Sequence, residues 1–146
     1  MINNRFVRGI LALLLLFALA LPFGCAPKKP MTTQEMEAEA RKHIEEISVA
    51  DAKREFDSGK TIFLDVREPA EWEKGHIPKA KHLPRGLLEY KIATVVPGKS
   101  ARIVVYCKVG GRGCFATDTL DRLGYTDVAN MAGGWKAWVK AGYPVE

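Results

Sequence analysis

Cysteine is scarce in this chain and is not arranged as a metal-ligand set. There are three, Cys25, Cys107 and Cys114, with no Cys-x-x-Cys pair, and the histidines His43, His76 and His82 stand singly. A zinc site needs three or four such side chains converging, so no metal is expected. No block of Lys and Arg longer than two occurs. The net charge of +5 at pH 7 is dispersed over 146 residues, which argues against a dedicated nucleic-acid-binding protein. Internal repeats and low-complexity segments are absent. The one long apolar run, residues 10–21, is shorter than the ~20 residues a membrane-spanning helix requires. What remains is a length that suits one domain.

The apolar run has a setting of its own. Arg5 and Arg8 precede it, and Gly24-Cys25 follows it. A basic start, an apolar stretch and a small residue before a cysteine make up an export signal. The pattern resembles a bacterial lipoprotein signal, in which the cysteine becomes the lipidated N-terminus after cleavage. Such signals usually carry Leu three residues before the cysteine; here Pro22 holds that place, and Leu21 lies one step further out. A plain secretory signal or an uncleaved anchor are the alternatives. The resemblance implies a periplasmic or cell-envelope location, with residues 1–24 removed and the membrane reached through lipid on Cys25. Residues 26–30 (APKKP) read as a tether. Without Arg5 and Arg8 the chain carries +3.

Local patterns then divide the chain. Met36, Ala40, Ile44 and Ile47 form a weak helical stripe over residues 32–47, supported by the Glu37–Arg41 pair, and predict a spacer helix outside the core. Ser48, with Asp51 three residues on, resembles an N-cap for a helix ending near Gly59. Residues 61–66 (TIFLDV) and 102–106 predict strands, and shorter ones are expected at 80–83 and 126–130. Helices are expected at 69–74, 86–96, 113–123 and 134–141, with Trp135 and Trp138 on one face of the last. Strands alternating with helices predict an α/β fold: a parallel sheet of about five strands flanked by helices on both faces. In such sheets ligands bind at the carboxyl ends of the strands.

Residues 103–115, IVVYCKVGGRGCF, carry the chemistry. A buried strand ends on Cys107, and a Gly-rich loop leads through Arg112 into a helix. Unpaired backbone N–H groups at a helix start, together with a guanidinium, favour a thiolate, the nucleophilic form of cysteine. The N–H groups of Lys108, Val109, Gly110, Gly111 and Arg112 can form an anion nest.

Three segments, in this order, resemble the rhodanese family: DVREPAEWEKGHIPKA at 65–80, CKVGGR at 107–112 and GYTDVANMAGGWKAWVKAGYP at 124–144. The resemblance covers residues 46–146, with the domain placed at 48–146 and residues 25–47 as lipidated N-terminus, tether and spacer. It implies sulfurtransferase chemistry: Cys107 takes a sulfane sulfur from a small anionic donor such as thiosulfate or polysulfide. Cys107 then holds it as a persulfide and passes it to a thiol or protein acceptor. No cofactor is implied, and a monomer is expected. Lys108 reads as a donor-anion contact or as a solvated charge. Asp65 and Arg67 are expected to hold the loops around the site, and His76 to be a hydrogen-bonded turn residue. Four residues separate Cys107 from Arg112, whereas cysteine phosphatases of this fold have five, a wider ring suited to a tetrahedral oxyanion. Gly113 stands where small rhodaneses often carry Ser, so a hydroxyl that could help hold the loop is missing. Cys114 is either a small buried helix residue or a resolving thiol able to pair with Cys107. Two further readings stay open: a sulfur carrier or interaction module with negligible turnover, and a thiol-redox protein cycling Cys107 and Cys114.

Overall fold

Short runs of β-branched and aromatic residues become the centre of the sheet. The computed structural model describes residues 29–146; the expected signal segment, residues 1–24, and Cys25 lie outside them. The chain runs α1 (Thr33–Ala40), β1 (Glu45–Ile47), α2 (Val49–Ser58), β2 (Ile62–Asp65), α3 (Pro69–Trp72) and β3 (Lys81–His82). A 3-10 turn (Arg85–Leu87) then leads into α4 (Leu88–Val95), β4 (Ile103–Tyr106), α5 (Gly111–Arg122), β5 (Val128–Met131) and α6 (Gly134–Lys140). The five strands form one sheet in the order β1-β5-β4-β2-β3, and every pairing is parallel. The expected architecture is therefore present.

The period of two along each strand sorts side chains to two cores. Leu64, Val66, Ile103 and Val105 pack with Leu88, Ile92, Ala116 and Leu120 of α4 and α5. Phe63, Val104, Tyr106 and Met131 face the other way, against Ala52 of α2 and Trp138 of α6. All four residues of β4 are buried, which is why it reads as an unbroken apolar run. Each fully buried aliphatic side chain of this kind contributes roughly 1.5–3 kcal/mol. Trp138 sits edge-on to Phe56, Phe63 and Tyr143, and its indole N–H donates to the Pro144 carbonyl. Both of its ends are satisfied.

The spacer-helix expectation for residues 32–47 needs correction. The helix ends at Ala40, and Glu45–Ile47 is an edge strand paired with β5. Nor does α1 lie outside the folded unit: it packs on α5 and buries Ala40. Parallel pairing at a sheet edge outweighs a weak local stripe, and Met36, assigned to that stripe, is exposed. α1 does begin on a capping box, with the Glu35 N–H donating to Thr32 Oγ1 and the Thr32 N–H donating to the Glu35 carboxylate.

Candidate active site

β4 delivers Cys107 to the carboxyl edge of the sheet, at its middle strand. The residues that follow cannot continue as a strand, because Gly110 turns at φ 108°, ψ −28° and becomes the N-cap of α5. That backbone region is open to glycine and strained for residues with a Cβ. The turn brings the Gly110 N–H to 3.2 Å from Cys107 Sγ, where it donates to sulfur. α5 begins two residues earlier than its sequence pattern predicts, at Gly111 rather than Gly113. Among the described residues its first ladder bond runs from the Cys114 N–H to the Gly110 carbonyl, 2.8 Å. The N–H groups of Gly111, Arg112 and Gly113 therefore fall outside the ladder, at the end where a helix favours negative charge.

α6 fastens the same loop from the other side. The Trp135 N–H donates to the Cys107 carbonyl at 2.7 Å, and the Lys136 N–H to the Lys108 carbonyl at 3.1 Å. Both residues follow Gly134, which sits at φ 56°. Cys107 itself is buried; Lys108 and Val109 are exposed at the lip of the loop.

Asp65 and Arg67 are a buried ion pair beside this edge. The Arg67 Nε and Nη2 donate to the Asp65 carboxylate at 2.6–3.0 Å. Nη2 also donates to the Gly75 carbonyl at 2.8 Å, and Nη1 to the Glu71 carbonyl at 3.1 Å. One guanidinium thus pins the 71–75 segment to the end of β2. Its face lies 4.6 Å from the centroid of the Trp135 ring, a cation–π contact that ties this segment to α6. His76 closes the segment: its backbone pairs with Glu146, and its ring stacks on Trp72 with centroids 3.4 Å apart. Tyr106, at the end of β4, accepts from the Ile77 N–H. Burial and the nearby Asp65 carboxylate push its hydroxyl pKa far up, so it stays neutral.

Arg112 does not stand open to solvent. Its two terminal nitrogens donate to the two carboxylate oxygens of Glu71 at 2.7 and 2.9 Å. Sequence reasoning gave Glu71 no role. Nothing local marks it, since its partner lies 41 residues away. The Arg112 hydrogen bonds, helped by the Glu68 N–H, hold the Glu71 carboxyl down to about 2 from its ordinary 4.5. A depressed carboxyl stabilises the fold above its unfolded pKa, and that contribution disappears as pH falls through the folded value. The melting-temperature difference between wild type and Glu71→Gln should therefore be full above pH 4.5 and shrink toward zero as the pH approaches 2. A pH series of thermal melts reads this directly; a difference independent of pH would show that Arg112 is held by something else.

Cys114 is also a free thiol, on the first turns of α5. It is buried, and its Sγ approaches the Glu37 carbonyl of α1 at 3.7 Å. Burial pushes its pKa up, which disfavours the nucleophilic thiolate. Gly113 has a neighbour that the sequence did not signal: a Cβ there would lie 2.3 Å from Asn130 Oδ1. Any residue with a Cβ at this position would meet the Asn130 carboxamide, so glycine fits the carboxamide as it stands and a serine would require it to move. Among the described residues no group of His, Cys, Asp and Glu is arranged to hold a metal.

A parallel sheet whose middle strand presents a cysteine to a backbone N–H donor at its carboxyl edge, with four residues between that cysteine and an arginine, defines a class of α/β domains built around a cysteine loop. Residues 48–141 match the model of the rhodanese-like domain, and the chain belongs to that family. It is 34% identical over 94 residues to a sulfurtransferase of Allochromatium vinosum, covering 64% of this chain and 86% of that protein. It is 38% identical over 74 residues to the thiosulfate sulfurtransferase PspE of Escherichia coli, covering 51% and 70%. A solved structure from Rhodopseudomonas palustris, described as a protein of unknown function and possible tyrosine phosphatase, superposes with a TM-score of 0.73 at 31% identity. That superposition covers 84% of this chain and all of the other. The family match and the two sulfurtransferase relatives support sulfur transfer as the general chemistry, and the solved structure supports the fold.

Proposed function

We propose that this chain is an exported, lipid-anchored thiosulfate or polysulfide sulfurtransferase that works through a Cys107 persulfide. The observation that carries the proposal is the Gly110 N–H on Cys107 Sγ within a loop of four residues before Arg112. A ring of that size suits one sulfur atom, and α5 turns its N-terminal amides toward the same end. In the first half-reaction the Cys107 thiolate attacks the outer sulfur of thiosulfate. The bond between the two sulfurs of the donor breaks, and sulfite leaves with the electron pair. In the second, a thiolate acceptor or cyanide attacks the outer sulfur of the persulfide, and Cys107 leaves as thiolate. The atoms and electrons balance without a metal or an organic cofactor. Lipid on Cys25 would hold the domain at a membrane facing the periplasm, with sulfur donors and thiol acceptors as its partners.

The test is intact mass after incubation with thiosulfate and removal of excess donor. The expected result is a gain of one sulfur atom, discharged by cyanide with release of thiocyanate. No gain with thiosulfate or polysulfide would remove the proposal. A gain that discharges only to a protein partner, with negligible turnover on small acceptors, would identify a carrier. Labelling of growing cells with a radioactive fatty acid, compared between wild type and Cys25→Ser, decides the anchor: label on the wild type alone is expected.

A further inference from the structure

The family domain is matched from residue 48, yet residues before it reach the back of the Cys107 loop. Arg41, just after α1, donates to Glu37 Oε1 at 2.7 Å and also pairs with Glu46 of β1. Glu46 Oε2 accepts from Asn130 Nδ2 of β5 at 2.8 Å. The same Nδ2 donates to the Gly110 carbonyl at 3.3 Å. Gly110 is the residue whose N–H meets Cys107 Sγ. A continuous polar chain thus joins α1 and β1 to the sulfur cradle.

We propose that Glu46, held in place by Arg41, is a positioning residue for the Cys107 loop, acting through the Asn130 carboxamide on Gly110. The inference rests on Cys107 as the reactive sulfur of the site proposed above. Both partners of Asn130 Nδ2 are acceptors, so the amide must present its NH2 end to them. A carboxylate makes that hydrogen bond charge-assisted and fixes the orientation. The opposite orientation would set Oδ1 against the Glu46 carboxylate and the Gly110 carbonyl, and like ends repel. Oδ1 instead faces Gly113 and has no partner among the described residues. An unpaired buried acceptor is unfavourable, so the other end of the amide must be held firmly. The Gly110 carbonyl is then fixed by two donors, Asn130 Nδ2 and the Cys114 N–H. With the 110–111 peptide held from this side and the Cys107 and Lys108 carbonyls held by α6, the Gly110 N–H between them is kept on sulfur.

Arg41 has a second consequence. A Cβ at Gly111 would lie 3.1 Å from Glu37 Oε2, and one at Gly110 would lie 3.8 Å from Arg41 Nη2. Two carboxylates therefore stand behind a loop that must carry negative sulfur, and Arg41 offsets both of them.

Two rates test the inference: alkylation of Cys107 by iodoacetamide, located by peptide mass, and sulfur loading from thiosulfate. Each is measured with thermal unfolding alongside. Glu46→Ala should slow both rates by about five- to tenfold, the upper part of the range expected for losing the net worth of one ordinary hydrogen bond. Glu46→Gln keeps an oxygen that accepts from Asn130 and should return both rates to within about twofold of wild type, since a neutral acceptor still orients the amide. Wild-type rates in Glu46→Ala would overturn the inference, whatever its melting temperature. So would a Gln variant as slow as the Ala variant. Should Glu46→Ala not fold, Arg41→Gln makes the comparison from the α1 end: slowed rates support the inference and unchanged rates overturn it. Wild-type protein that alkylates at Cys107 but takes no sulfur would remove the sulfurtransferase reading, and alkylation alone would then decide the role of Glu46.

Discussion

Cys107→Ser should give a folded protein that accepts no sulfur. The hydroxyl fits the space of the thiol, and the Gly110 N–H that met Sγ at 3.2 Å can donate to oxygen instead. An alcohol is not a useful nucleophile toward sulfur, and among the described residues the only hydrogen-bond partner of the Cys107 side chain is the Gly110 N–H, a donor and not a base. Turnover with thiosulfate should fall by at least about three orders of magnitude, the scale seen when an enzyme's nucleophile is removed. Thiocyanate release follows turnover, and intact mass should show no added sulfur. Cys114→Ser separates the two thiols. Its sulfur is buried beneath α1 with a raised pKa, so loading should persist in that variant. Equal loading of wild type and Cys107→Ser would sink the persulfide mechanism at this residue; loss of loading in Cys114→Ser would favour the two-thiol reading.

Gly134→Ala is expected to damage the site from the first residue of α6. A Cβ at Gly134 would lie 2.3 Å from the Cys107 carbonyl oxygen and 3.0 Å from the Val109 nitrogen. Both are backbone atoms, so no flexible side chain can swing aside. The residue also has φ 56°, which a residue with a Cβ adopts at a cost. Overpacking and left-handed strain together should lower stability by about 2–5 kcal/mol. The Trp135 N–H bond to the Cys107 carbonyl cannot survive the required shift, so the cradle is displaced even where the fold persists. Urea unfolding gives the stability loss, and iodoacetamide labelling of Cys107 reports the cradle. A variant as stable as wild type, with unchanged labelling, would mean that α6 does not seat the loop.

The sheet was legible because its signals are local. β2 and β4 are short β-branched runs, α2 announces itself with Ser48 and Asp51, and α5 begins where glycines follow Cys107. β1 was not legible, since residues 45–47 (EEI) have no strand signature and are held by pairing with β5, more than eighty residues away. The cysteine and its loop could be read in one segment. The groups that hold them could not: Glu71 on Arg112, Asn130 between Gly110 and Gly113, and Trp135 over Arg67 all meet across long stretches of chain. Such partners become visible only when topology brings the carboxyl ends of three strands to one edge. Gly113 shows the same limit: its sequence suggests a lost hydroxyl, whereas its surroundings show a position already filled.

The fastening of residues 107 and 108 has an evolutionary corollary. Their carbonyls are gripped by main-chain donors of α6, a grip indifferent to side-chain identity. Lys108 and Val109 can therefore be exchanged for other residues while the ring keeps its shape. Selection is free to retune which molecules dock at the rim, anionic or apolar, small or macromolecular, without rebuilding the machinery beneath.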